Sequence, residues 1–118
     1  MDKQHGYGTE SWKDGAKYEG HYQNGEKEGF GKYTYGQGGY YEGNWCKNKI
    51  SGIGYQEWSN GNIYKGEWKD NAMWGYGVFR IPNKPTYYGQ FANDKKHGYG
   101  IYEWDDGKKF AGWWNNGK

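Results

Sequence analysis

The 118-residue sequence has a single cysteine, only two prolines, few aliphatic side chains and no long apolar run. Each scarcity excludes something. With Cys46 alone there is no internal disulfide framework, and a lone thiol suits a reducing compartment. No stretch approaches the 18 or so apolar residues that cross a bilayer as a helix, and the N-terminus lacks the charged-then-apolar pattern of a secretory signal. A conventional Leu/Ile/Val core cannot be assembled, so the area available for burial is aromatic. Charge of one sign is missing as well: 16 basic and 14 acidic residues are scattered along the chain for a net +2, which argues against a nucleic-acid surface.

What is abundant is glycine, at 23 residues, and aromatics, at 14 Tyr, 8 Trp and 4 Phe. The mean hydropathy of -1.40 is low enough for a disordered chain, but disordered chains are poor in aromatics. The two residue types are also ordered in the sequence. Aromatic-x-Gly-x-aromatic occurs at Tyr18-Gly20-Tyr22, Tyr41-Gly43-Trp45, Tyr64-Gly66-Trp68, Tyr87-Gly89-Phe91 and Phe110-Gly112-Trp114, each 23 residues after the last. Gly-x-Gly keeps the same period at Gly6/Gly8, Gly29/Gly31, Gly52/Gly54, Gly75/Gly77 and Gly98/Gly100. A fixed period of this length marks a repeat architecture.

Within each unit the aromatics and glycines alternate in steps of two, the signature of strands. Asp14-Gly15, Gln37-Gly38, Asn60-Gly61 and Asp106-Gly107 are hairpin-turn dipeptides. The other turn carries Gly25, Asn48, Asn71, Asp94 and Gly117 at one slot, residues that tolerate a left-handed backbone. Pro82-Asn83-Lys84-Pro85 breaks the first turn pattern and predicts a differently shaped loop. The expected fold is all-β: a single-layer, elongated antiparallel meander of about ten short strands built from 23-residue β-hairpin repeats. Its divisions are a half-repeat 1–17, repeats 18–40, 41–63, 64–86 and 87–109, and a half-repeat 110–118, together one domain over 1–118.

The two parities of the strands divide the work. One carries Tyr18, Tyr22, Tyr41, Trp45, Tyr64, Trp68, Tyr87 and Phe91, with Trp12, Tyr35, Trp58 and Trp104, and is expected to hold the fold together, each glycine leaving a gap that a neighbouring ring covers. The other places Tyr7, Phe30, Ile53, Tyr76 and Tyr99 between the paired glycines, followed by Thr9, Lys32, Tyr55, Val78 and Ile101, and interleaved with His21, Asn44, Glu67 and Gln90. Two readings stand for this row: a half-polar surface that receives a partner, with Tyr7, Phe30, Tyr55, Tyr76 and Tyr99 as its contacts, or a second small core closed by sheet twist.

The units resemble the MORN (membrane occupation and recognition nexus) repeat, on Tyr64-Lys65-Gly66-Glu67-Trp68-Lys69, Tyr41-Glu42-Gly43-Asn44-Trp45, His97-Gly98-Tyr99-Gly100 and His5-Gly6-Tyr7-Gly8. Phe110 in place of Tyr, the Pro82/Pro85 loop and the Trp113-Trp114 pair depart from that pattern. The resemblance implies a rod-like sheet curved into a groove, and a scaffold role in cytoskeletal, ciliary or membrane-junction assemblies, with a partner helix or peptide held in the groove, or a targeting module attached to a lipid kinase.

No catalytic constellation of nucleophile, base and orienting group is present, nor metal ligands at characteristic spacing around His5, His21 or His97, nor a strand-to-helix phosphate loop at any Gly-x-Gly pair. The expectation is a non-enzyme without cofactor or metal, cytoplasmic, in a cytoskeletal or ciliary setting. Its partner is a protein segment. The competing reading is a membrane surface module that meets acidic phospholipid through Lys47, Lys49, Lys69, Lys95 and Lys96, a rim interrupted by Glu26, Glu28, Asp70 and Asp94. Both ends fall inside a repeat without a polar cap, which leaves a longer natural chain or self-association through the uncapped ends as expectations.

Overall fold

A computed structural model describes residues 5–115. Ten strands follow one another: β1 (Gly6–Ser11), β2 (Lys17–Gln23), β3 (Glu26–Thr34), β4 (Gly39–Cys46), β5 (Lys49–Trp58), β6 (Ile63–Lys69), β7 (Ala72–Arg80), β8 (Thr86–Ala92), β9 (Lys95–Glu103) and β10 (Lys109–Trp114). Each pairs antiparallel with the next, giving one open sheet in the order β1 to β10. The described chain measures 56 × 24 × 19 Å along its principal axes, and among the described residues there is no helix.

The turns take the forms their residues dictate. Asn24-Gly25, Lys47-Asn48, Asp70-Asn71 and Asn93-Asp94 have positive φ at both positions, the mirror-image two-residue turn that matches strand twist. Gly117, assigned to the same slot from the sequence, lies outside the described residues. On the opposite rim, Gly15, Gly38, Gly61 and Gly107 carry φ between 90° and 102°. The Pro82/Pro85 loop keeps the bond from the Lys84 N–H to the Ile81 carbonyl but moves its positive φ to Asn83. Pro85 has no N–H, so it cannot repeat the bond by which the amides of Ala16, Asn62 and Lys108 reach Asp14, Asn60 and Asp106.

One feature corrects the simple alternation. Between β2 and β3 the pairing passes from Gly20 opposite Gly31 to Tyr22 opposite Lys27, so β3 carries two more residues than β2 across that interval. The same shift recurs in β4/β5, β6/β7 and β8/β9. It is a bulge of even length, so the faces are preserved on either side of it. The first glycine of the Gly-x-Gly pair in β3, β5, β7 and β9 sits there with positive φ, from 78° at Gly75 to 99° at Gly52. Covered gaps therefore account for the second glycine only. A Cβ at Gly31, Gly54, Gly77 or Gly100 would overlap the phenol of Tyr18, Tyr41, Tyr64 or Tyr87, whereas at Gly29 it would meet nothing nearer than 3.7 Å.

The core is a single row of rings on that face. Tyr18, Tyr41 and Tyr64 are fully buried and Tyr87 nearly so. Their hydroxyls donate to the carbonyls of His21, Asn44, Glu67 and Gln90 at 2.9–3.1 Å, which meets the hydrogen-bonding need of a buried phenol. Between them the rings form an unbroken zigzag of edge-to-face contacts: Tyr22, Tyr18, Trp45, Tyr41, Trp68, Tyr64, Phe91, Tyr87, Trp114, with centroids 5.1–6.2 Å apart. Geometry of this kind is worth about 0.5–1.5 kcal/mol per pair beyond area burial. Trp45 and Trp68 also donate from Nε1 to the carbonyls of Gly31 and Gly54 at 3.1 Å.

Candidate functional site: the two faces of the sheet

A second position per repeat completes the ring face. Lys27, Ile50, Met73 and Lys96 follow each two-residue turn at 23-residue intervals. Ile50 and Met73 are buried in the aromatic core. Lys27 Nζ stands 5.2–5.9 Å from the rings of Trp12, Tyr18, Tyr33 and Trp45, and Lys96 Nζ stands 5.5–5.7 Å from Tyr87, Tyr102 and Trp114. A slot framed by aromatic faces accepts either an alkyl chain or a cation. The ring face is thus apolar at mid-rod and cationic toward both ends.

Each of these residues is fixed by the neighbouring turn. The side chains of Asn48, Asn71 and Asp94 accept from the amides of Lys27, Ile50 and Met73 at 2.7–2.8 Å, and their own amides donate back to the same residues' carbonyls at 2.9–3.1 Å. Left-handed tolerance was the reason the sequence offered for that slot. The second reason, a two-way stitch from turn to turn, was hidden in the choice of Asn and Asp over Gly. It also consumes the Asp94 carboxylate.

The ring face is hollowed. A trough of about 490 Å³ runs beside Tyr35, Ile50, Gln56, Trp58, Met73 and Phe79. It continues at one end into a hollow of about 400 Å³ by Tyr35, Gln56 and Trp58, and at the other into one of about 260 Å³ by Met73, Phe79 and Lys96. Its walls come from the row Tyr35, Trp58 and Phe79, half-buried rings that lie outside the zigzag. Gln56 is buried in the floor, its Oε1 accepting from the Tyr35 hydroxyl at 3.1 Å. A separate recess of about 530 Å³ lies between the Pro82/Pro85 loop and the turn after Trp104, with Lys84, Asp105 and Asp106 on its walls. That recess is framed by turns and mixes the apolar Pro85 and Trp104 with the polar Asn83 and the charged Lys84, Asp105 and Asp106.

The opposite face holds the five residues named from the sequence. Tyr7 is 67% exposed, Phe30 54%, Tyr76 65% and Tyr99 42%, and Ile53 in the same row is 60% exposed. Sheet twist does not close them into a second core. Tyr55 behaves differently: it is half-buried, stacked on Tyr40 at 5.8 Å, with its hydroxyl donating to Glu57. His21, Asn44, Glu67 and Gln90 stand opposite the row, as expected, and two of them are spent on the backbone: Glu67 accepts from the Tyr76 amide and Gln90 from the Tyr99 amide. The apolar character rises toward β10, where Tyr88 and Trp113 join Tyr76 and Tyr99 as exposed rings.

The lysines read as one rim do not share a setting. Lys69 lies over Trp74 at 4.8 Å, and Lys96 is turned onto the ring face. Cys46 is exposed. Burial holds the phenols of Tyr18, Tyr22, Tyr41, Tyr64 and Tyr87 above their ordinary range, Tyr18 to about 12, with Glu10 adding to the shift of Tyr22.

The MORN repeat profile matches residues 1–17, 18–40, 41–63, 64–85 and 87–109. The fold and the repeat together define a single-layer β-repeat protein, and the chain belongs to the MORN repeat family. A direct comparison with curated proteins returns no match.

Proposed function

We propose that this chain is a non-catalytic scaffold that holds a segment of a protein partner, helical or extended, along the hollow of its ring face, within a cytoskeletal or ciliary assembly. The supporting observation is the trough itself: a largely aromatic and aliphatic depression with Gln56 as a buried polar group in its floor and half-buried Tyr35, Trp58 and Phe79 along it. Aromatic side chains in concave settings are the usual anchors of protein interfaces, and an amphipathic helix seats its apolar side chains in such a groove.

A second reading is favoured by the exposure of Tyr7, Phe30, Tyr76 and Tyr99, which with Tyr55 form the opposite surface. A titration with a partner captured on this domain separates the two. Trp58→Ala should weaken binding if the trough is the site, and Tyr76→Ala with Tyr99→Ala should do so if the opposite face is. Acidic phospholipid remains the alternative ligand class. Co-sedimentation with anionic vesicles at low and physiological salt tests it, and binding that survives physiological salt and is lost in Lys95→Glu would favour the membrane over the protein partner.

A further inference from the structure

The side chains that follow the two-residue turns run along one flank of the ring face in the order Lys27, Ile50, Met73, Lys96. Ile50 and Met73 line the trough, and Lys96 lines the hollow at its far end. At the near end Lys27 stands over Tyr33, whose ring lies 5.1 Å from that of Tyr35. Both lysines are half-buried, and among the described residues the ion pairs are Lys17–Glu19 and Lys108–Asp106, so neither has a carboxylate partner. Glu10 and Asp94 do bring carboxylates to the ring face, but each is engaged within the fold. Glu10 accepts from the Tyr22 hydroxyl at 2.6 Å, and Asp94 from the Met73 amide at 2.7 Å. Ring faces attract an ammonium without neutralising it. The flank therefore presents positive, apolar, apolar, positive.

The backbone decides which conformation fits beside it. The trough crosses the strands, and β3 to β9 are each hydrogen-bonded to a strand on both sides. An extended segment laid there would find no backbone partners for its own amides, whereas a helix satisfies them internally. From β3 to β9 is six strand spacings, about 29 Å, which a helix covers in about 19 residues. One repeat, at about 10 Å, is close to two helical turns, so an apolar stripe that returns about every seven residues keeps step with Ile50 and Met73.

Granted the trough as the binding site, we infer that its occupant is an amphipathic helix of a protein partner in which carboxylates about 19 residues apart bracket an apolar stripe. The carboxylates meet Lys27 and Lys96, and the apolar side chains between them pack against Tyr35, Trp58 and Phe79. Charges in a half-buried, ring-lined setting are screened less than on an open surface, so the two ends select the partner as well as steer it.

Three helix-forming peptides of about 22 residues share one leucine stripe and carry Glu, Gln or Lys at the two bracketing positions. Fluorescence anisotropy with the 118-residue chain compares them. The Glu peptide should bind about tenfold tighter than the Gln peptide, and the Lys peptide more weakly than either. Lys27→Met combined with Lys96→Met removes both charges and keeps the slots filled, as Met73 fills the equivalent slot. That double variant should melt no lower than the parent and bind the three peptides alike. Equal binding of all three by the parent, lost in Trp58→Ala, would overturn the inference and leave the trough standing as the site. Binding of none would overturn both. A Glu preference that survives in the double variant would overturn it by moving the charge to another surface. Anionic phospholipid vesicles that bind the parent but not the double variant, with no ranking among the peptides, would assign the two lysines to a membrane instead.

Discussion

The phenol of Tyr41 lies so close over Gly54 that any side chain at Gly54 would overlap it, while its hydroxyl donates to the Asn44 carbonyl at 2.9 Å. Ring and glycine are two halves of one contact made across β4 and β5, and the contact recurs at Tyr18/Gly31, Tyr64/Gly77 and Tyr87/Gly100.

Gly54→Val or Gly77→Val should therefore destabilise the sheet by more than the ~1 kcal/mol spanned by strand propensities, since the added side chain pushes out a buried ring. Melting curves against the parent measure this. An unchanged melting temperature would mean that the rings are not held where they stand.

The bulge glycines respond to a different change. Gly29 has φ of 85° and a Cβ there would meet nothing nearer than His21 at 3.7 Å, so Gly29→Ala should cost about 1–2 kcal/mol through backbone strain without a clash. Gly29→Asn should cost less, because Asn accepts the left-handed region. Denaturant titration of the two variants ranks them, and equal losses would point to a steric cause.

Removing a core ring tests the face assignment. Trp68→Ala deletes two edge-to-face contacts and the bond to the Gly54 carbonyl, and about 3–5 kcal/mol of stability should go with it. Tyr76→Ala on the other face removes a ring that is 65% exposed and should leave the stability within about 0.5 kcal/mol of the parent.

The buried phenols make the fold sensitive to alkali. Tyr18 is raised from its ordinary value near 10 to about 12 by burial, with Tyr7 adding to it. Above pH 10 the unfolded chain releases the proton first, so stability is intact below that pH and falls as pH rises through about 12. Tyr22, Tyr41, Tyr64 and Tyr87 shift in the same direction, which reinforces the fall. Melting temperature against pH, followed beside the tyrosinate absorbance, reads both events; ionisation of all tyrosines below pH 10 without unfolding would contradict it.

Strand order, the strand count and the division of faces were legible because Tyr18, Gly20 and Tyr22 share a parity that returns every 23 residues. The bulge was not. Gly29 and Gly31 look alike as letters, yet one answers a backbone angle and the other a ring, and nothing in the spacing separates the two demands. Lys27, Ile50, Met73 and Lys96 escaped notice for the opposite reason: a slot lined by ring faces accepts such different side chains that no residue type marks it. The hollow beside Trp58 depends on how twist distributes space between two aromatic faces, which periodicity does not encode.

Since each strand packs only against those one or two places away in the order, a unit of 23 residues can be added or removed without disturbing contacts beyond the units that border it. Each unit contributes two strands and about 10 Å of length at the usual strand spacing. The rod is in effect a graduated ruler, and whatever rests on it meets the same features at a fixed pitch, so the distance it spans changes by whole divisions and never by fractions.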